Sequence, residues 1–296
     1  MAFYKHDKEM SSLIDSSINA LNKELRPNIA GNIAVTWICY SKQYPSPLSG
    51  RGASWRGREL IYPASIVKIF YAVAIESWLQ DDLLIENSEL RRAVSDMIRD
   101  SNNDATGFII DLLTATTSGP SLIGPSWEIW KEQRNSINKW IQSFEWEEFN
   151  NINCSQKTWN EGPYGREKDF YGKGFSNRNA LTTNATARIL ESIMTSNIIS
   201  PISCKRIKNL LSRSLDLDER EKNIENQIDG FIGDSLPKGS KIWSKAGLMS
   251  QARHDAAWFE IPNKNPMLLI IFSQGKKNAT DKSLLPLIAS KLINYT

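Results

Sequence analysis

Histidine and cysteine are scarce in this chain. It has two histidines, His6 and His254, and three cysteines, Cys39, Cys154 and Cys204, in 296 residues. No two cysteines form a C-x-x-C pair, so no metal site is expected. An odd, sparse count argues against a disulfide framework and suits a reducing compartment, with each cysteine a small core residue. With so few histidines and no G-x-S-x-G, a Ser-His-Asp hydrolase is not expected either. Long apolar runs are also missing. The longest clean one, Met267 to Phe272, is far too short to span a bilayer. Residues Met1 to Lys8 lack the apolar core of a signal peptide. For the chain as given, these absences predict a cytoplasmic protein with no membrane partner. Charge of one sign is not in excess: the net charge is +3, and no Lys/Arg run is dense, so no nucleic-acid partner is expected. There is no P-loop, and Gly50-Arg51-Gly52 lacks the third glycine and the helix of a dinucleotide loop. No cofactor is expected. Gly233-Asp234-Ser235-Leu236 spells the GDSL esterase motif, but it lies near the C-terminus with no D-x-x-H after it.

Core-forming residues, by contrast, are ample. Hydrophobic residues make up 41% and there are ten tryptophans, enough for one large domain or two small ones. Helical periodicity runs from Met10 to Leu25, through Leu13, Ile14, Ile18, Leu21 and Leu25. Asn32 to Tyr40 reads as a strand, Ser41 to Gly57 as a Gly/Pro-rich loop, and Glu59 to Tyr62 as a short strand. Ser65 opens a helix to about Leu79. Two helices between Ser88 and Leu113 meet at Ser101-Asn102-Asn103, where Ser and Asn favour caps and turns. Thr114 to Pro125 reads as a loop, and one helix is expected over Ser126 to Ile141. Its tryptophans are expected to pack that segment or to roof a cleft. Asn150 to Asn179 reads as a long irregular loop, a class that is usually functional or disordered. Thr182-Thr183 cap a helix to about Ser196, and more helices follow to about Phe231. Three strands (Lys241 to Ala246, Asp255 to Ile261, Met267 to Phe272) and a helix from Ser283 to Ile293 end the chain, with Asn263 to Pro266 a hairpin turn. The expectation is an α+β protein: about five antiparallel strands flanked by helices in a lobe of roughly 1–62 and 200–296, plus an all-helical lobe of roughly 63–199.

Within this pattern Ser65-Ile66-Val67-Lys68 stands out. A serine and a lysine three residues apart share a helix face. Serine needs a base to become a nucleophile, and a lysine serves if burial lowers its pKa. Lys68 is surrounded by Ile66, Val67, Ile69, Phe70, Ala72, Val73, Ala74 and Ile75, the pattern of a buried helix. Taken singly, Ser65 reads as a helix cap and Lys68 as a snorkelling side chain. Ser101-Asn102-Asn103 and Lys245-Ala246-Gly247 follow in order.

Together these segments resemble the S-x-x-K, S-D-N and K-T-G motifs of class A β-lactamases and penicillin-binding proteins. Pro63-Ala64, Asp104-Ala105 and Leu236-Pro237-Lys238-Gly239 are similar to the flanking pattern, and the resemblance runs from about residue 30 to the C-terminus. It implies the β-lactamase-like fold and a serine hydrolase that forms an acyl-enzyme on Ser65 with a β-lactam or a related amide or ester, peptide-like substrates included. In it Lys68 is the base, Ser101 carries a proton to the leaving group, and Asn103 binds substrate amide and the Lys68 amine. Lys245, Ala246 and Gly247 form the substrate-binding strand, and the N–H groups of Ser65 and Met249 form the oxyanion hole. Glu167 is the loop glutamate that activates water, with Glu161 next in line. Two positions depart from the motifs: Asn102 replaces an aspartate, and Ala246 replaces a threonine whose hydroxyl would meet a substrate carboxylate. The E-x-x-L-N pattern of the family's loop is absent. The alternative is a non-hydrolytic penicillin-binding or ligand-binding protein that kept the fold and part of the site.

Overall fold

The computed structural model describes residues 3–24, 26–223 and 225–294. Strand β1 (Lys5–His6), α1 (Lys8–Glu24), α2 (Ile29–Asn32), β2 (Ile33–Cys39) and β3 (Arg51–Trp55) come first. They are followed by α3 (Lys68–Gln80), α4 (Ser88–Arg99), α5 (Asn103–Thr114), α6 (Gly124–Arg134), α7 (Ser136–Gln142) and α8 (Gly165–Tyr171). The rest comprises α9 (Thr183–Met194), α10 (Pro201–Leu211), β4 (Ser212–Arg213), α11 (Leu217–Lys222), β5 (Lys241–Met249), β6 (Ala252–Glu260), β7 (Met267–Gln274), α12 (Lys276–Thr280) and α13 (Leu284–Ile293). The chain divides into two compact units, residues 1–66 with 182–296, and residues 67–181.

The first unit is built on a seven-stranded sheet in the order β1-β3-β2-β7-β6-β5-β4. All pairings are antiparallel except β1 with β3. Every residue of β2 is buried, as expected of a β-branched strand covered on both faces. One cover is the apolar stripe Met10, Ile14, Ile18 and Leu21 of α1 together with Leu284, Leu285, Ile288 and Leu292 of α13. Leu25, expected to extend that stripe, lies outside the described residues. On α9, Thr183 and Asn184 accept hydrogen bonds from the buried Thr36 hydroxyl at 2.8 and 2.7 Å. Two expectations are corrected here. Residues 51–55 form β3 rather than loop, because Gly52 marks a close approach: a Cβ there would lie 2.4 Å from the Trp37 carbonyl oxygen. No strand element forms over Glu59–Tyr62. The pairings of β1 and β4 are two residues long and leave no periodic signal in the sequence.

The second unit is helical. The α3 helix is buried from Lys68 to Ser77, while α4 buries only the stripe Leu90, Ala93, Val94, Met97 and Ile98. The expected single helix over 126–141 is two, α6 and α7, parted at Asn135, with Pro125 in the first turn of α6. The tryptophans pack this unit. Trp130 is buried and donates to the Thr117 carbonyl at 3.0 Å. Trp140 meets Trp78 edge-on and donates to Ser77 Oγ at 3.1 Å. The expected irregular loop 150–179 contains α8, a seven-residue helix too short for propensity to reveal, since so short a helix depends on tertiary contacts.

Candidate active site

Ser65 sits on a tight turn. Ala64 adopts φ 47°, a left-handed conformation that costs a non-glycine residue about 1–2 kcal/mol. Residues Ala64–Val67 then form a 3₁₀ turn that runs directly into α3 at Lys68. Three residues per turn bring positions i and i+3 nearly into line, so the turn type aligns Ser65 with Lys68 more closely than an α-helix would. Ser65 itself is partly exposed. Strand β5 packs against this turn at Gly247. A Cβ there would lie 2.9 Å from the Pro63 carbonyl oxygen and 3.1 Å from Ile66 Cγ1, so only glycine lets the strand come so close.

Lys68 is fully buried. Its ammonium nitrogen donates to the Ser101 carbonyl at 2.5 Å, to Asn103 Oδ1 at 2.8 Å and to Ser101 Oγ at 3.3 Å. All three acceptors are uncharged, and burial pushes the amine down to about 7. The local backbone explains the arrangement. Helix α4 ends in a 6→1 bond from the Asn102 N–H to the Asp96 carbonyl, which requires the residue between to turn left-handed. That residue is Ser101, at φ 57°. Asn102 caps α5, its Oδ1 accepting from the Ala105 N–H at 2.8 Å. A cap needs a short acceptor side chain, which asparagine supplies as well as aspartate. Asn103 begins α5, and its Nδ2 donates to Asn160 Oδ1 at 2.5 Å. Nothing in the sequence marks Asn160, one polar residue in a polar loop.

Lys245 is also fully buried. Its Nζ donates to Gln227 Oε1 and to the Ala246 carbonyl, both at 2.8 Å. The same Gln227 oxygen accepts the Ala246 N–H at 2.9 Å. That bond fixes the direction of every amide on β5. The ladder with β6 runs unbroken from Lys241↔Glu260 to Met249↔Ala252, so N–H directions alternate. Ala246 points away from β6, and Leu248 therefore does too, whereas Met249 points toward β6. The open-edge amide next to Gly247 belongs to Leu248, which corrects the expectation for Met249, because successive N–H groups of a strand face opposite edges.

His254 lies opposite Gly247 on β6 and is fully buried. Its Nδ1 accepts the Ser273 N–H at 2.9 Å, so Nε2 carries the proton and donates to the Tyr62 carbonyl at 2.9 Å. It thereby ties the segment before Ser65 to the sheet. Burial pushes the imidazole down to about 4 from 6.5. Between those values the unfolded chain binds more protons, so this group's contribution is complete above about pH 6.5 and is lost as pH falls to 4. At about 1.4 kcal/mol per pH unit, its ceiling is about 3 kcal/mol. Asp255 works in the opposite sense, because burial pushes it up to about 7. The comparison with His254→Gln therefore isolates the imidazole. In urea unfolding, the stability of the wild type relative to this variant should fall between pH 6.5 and 4; a constant difference would mean that His254 titrates normally.

Glu167 has a different set of partners. It is fully buried on α8. Its Oε1 accepts from Arg134 Nη2 at 2.5 Å and from Ser118 Oγ at 2.8 Å, with Lys157 Nζ at 3.5 Å. Lys157 in turn binds Asp111 at 2.6 Å, and Arg134 lies over the Trp130 ring, 4.7 Å from its centroid. Two cations and two carboxylates thus form one network, in which Arg134 and Glu167 are fully buried and Asp111 is half-buried. None of the polar contacts of Glu167 is with Lys68, Ser101 or Asn103. Glu161 is exposed.

A family model described as the beta-lactamase enzyme family matches residues 78–296. The chain belongs to that family. No curated protein sequence matches it. Among solved structures, PBP-A has 16% identity and a TM-score of 0.64, covering 97% of this chain and 96% of that one. A beta-lactamase from Sphaerobacter thermophilus DSM 20745 has the same identity and TM-score, over 96% and 97%. A PBP-A mutant described as an acyl-enzyme complex with penicillin G has 17% identity and a TM-score of 0.64, over 96% of each chain. At such identities the likeness establishes the fold, that of the beta-lactamases. The family match covers Ser101, Asn103 and Lys245 but begins after Ser65 and Lys68. Those two rest on their own turn and its chemistry. Among the described residues, no helix is long and apolar enough to cross a membrane.

Proposed function

We propose that the chain is a serine acyl hydrolase of the beta-lactamase family. The observation that carries this reading is Lys68, an amine buried among neutral acceptors and brought to about 7, one turn from a partly exposed serine. A lysine that is half neutral near pH 7 is a competent general base. Ser65 Oγ gives its proton to Lys68 and bonds to the acyl carbon. The N–H groups of Ser65 and Leu248 hold the tetrahedral oxyanion. Ser101 Oγ passes a proton to the leaving nitrogen or oxygen as its bond to the acyl carbon breaks. Asn103 orients the substrate amide and the Lys68 amine, and Lys245 supplies positive potential. Water then adds to the acyl carbon and releases Ser65. The substrates are small or peptide-like acyl compounds.

Water activation is where this chain parts from the expectation for Glu167. We assign Glu167 a structural role: a carboxylate paired with buried Arg134 fastens the loop and has no task at the acyl group. The loop residue that touches Asn103 is Asn160, a neutral amide that cannot take a proton. This favours a persistent acyl-enzyme, the behaviour of a penicillin-binding protein, over fast hydrolysis. Intact mass after incubation with an aryl phosphonate and, separately, with benzylpenicillin tests both readings. One phosphonate per chain is expected, with a slower penicillin adduct that lasts for hours. Labelling by neither reagent would leave a non-enzymatic binding module, and a penicillin adduct that clears in seconds would overturn the slow-release reading.

A further inference from the structure

We propose that Gln227 fills the chain's own anion-recognition point, so that the protein selects acyl donors with no carboxylate there: neutral amides or esters. This rests on Ser65 being the nucleophile and goes on to name the substrate class.

Two donors converge on one oxygen. Gln227 is nearly buried, at 8% exposure. Its Oε1 receives the Lys245 ammonium at 2.8 Å and the Ala246 N–H at 2.9 Å. A buried cation and an outward strand amide converging on a single oxygen form the contact that one oxygen of a carboxylate would make. Here the protein's own amide makes it. The placement is relevant to substrate. Lys245 and Gly247 lie on the same face of β5, and that face at Gly247 abuts the turn carrying Ser65.

The glutamine is held in place. The Asn226 side chain accepts the Ile228 and Asp229 N–H groups at 3.0 and 2.9 Å, folding the backbone around Gln227 into a tight local turn. Lys245 also interacts electrostatically with Asp255, fully buried opposite Ala246. An anionic substrate would have to evict Gln227, breaking two buried hydrogen bonds and stranding its amide. A neutral donor has no such competition. An isolated lysine–glycine pair on a strand would attract carboxylates; this one is already satisfied.

The test uses acyl donors that differ only in one carboxylate. Benzylpenicillin is compared with its methyl ester, and an aryl phosphonate with the same reagent bearing a carboxylate, reading second-order labelling of Ser65 by intact mass. The wild type should favour the neutral member of each pair by about tenfold or more. Gln227→Ala should raise labelling by the carboxylate member about tenfold relative to the neutral member. Gln227→Glu keeps the shape and both acceptor contacts, so it guards against misfolding of the alanine variant. It should suppress the carboxylate member further through like-charge repulsion. A wild type that prefers the carboxylate member, or a ratio that neither variant moves, overturns the inference while Ser65 still labels. No label on Ser65 with any of the four compounds removes the hydrolase reading, and this inference with it.

Discussion

Ser65→Ala should abolish covalent labelling while the protein stays folded. Turnover should fall on the order of 10⁶-fold, the scale on which serine hydrolases lose kcat when the nucleophile is deleted. The fold should tolerate the change. Ser65 is partly exposed, and the turn around it is held by other groups: the Ile66 N–H on the Pro63 carbonyl at 3.1 Å, Gly247 against Pro63, and His254 on Tyr62. Losing one hydroxyl at such a site shifts stability by about 0.5 kcal/mol or less. Labelling rates by intact mass and the thermal midpoint check both halves together. A folded variant that labels at the wild-type rate would place the nucleophile elsewhere, with Ser101 the next serine to replace. Loss of labelling together with loss of fold would instead say that the turn depends on the Ser65 hydroxyl.

How legible this was in the sequence depends on the kind of residue. Strand β2 and helix α3 were plain because their apolar pattern is continuous and long. Lys68 was plain for the same reason, since a lysine inside such a run has few places to go. The junction at Ser101 was readable from cap chemistry, although its left-handed backbone was not. What escaped was set by contacts between distant segments. Gly52 spelled loop in the sequence, yet it is there because β3 lies tight against β2. Helix α8 has no periodic signature of its own and exists around the Glu167–Arg134 pair. Glu167 looked catalytic because a carboxylate on a functional loop is the expected base; its two cationic neighbours lie 33 and 10 residues away and bear no spacing that a motif records. Met249 and Leu248 differ only in strand parity, which a sequence shows once the register is known and not before. Gln227 and Asn160 are uncharged amides in loops, and their roles come wholly from the donors that face them.

Replacing Lys68 with methionine should separate chemistry from stability in opposite directions. The stem length is kept and the amine is lost, so acylation should slow by about 10²–10⁴-fold, the usual worth of a general base. Because the neutral amine is the base, wild-type acylation should rise with pH through about 7, and the variant's residual rate should lose that inflection. Stability should move the other way. The folded amine titrates near 7 against 10.5 in the unfolded chain, so between those values the unfolded state holds more protons and wild-type stability climbs with pH. Below about pH 7 the full cost of burying the ammonium is present, at about 1.4 kcal/mol per unit of depression. It is offset in part by the hydrogen bonds to Ser101 and Asn103. A methionine has no such cost and should make the protein more stable at pH 6, with the advantage shrinking toward pH 10. Urea unfolding across that range, run beside the labelling kinetics, gives both curves. If the folded variant acylates at the wild-type rate, proton removal from Ser65 belongs to another group. If the stability difference is flat with pH, Lys68 keeps an ordinary amine pKa and cannot be the base at neutral pH.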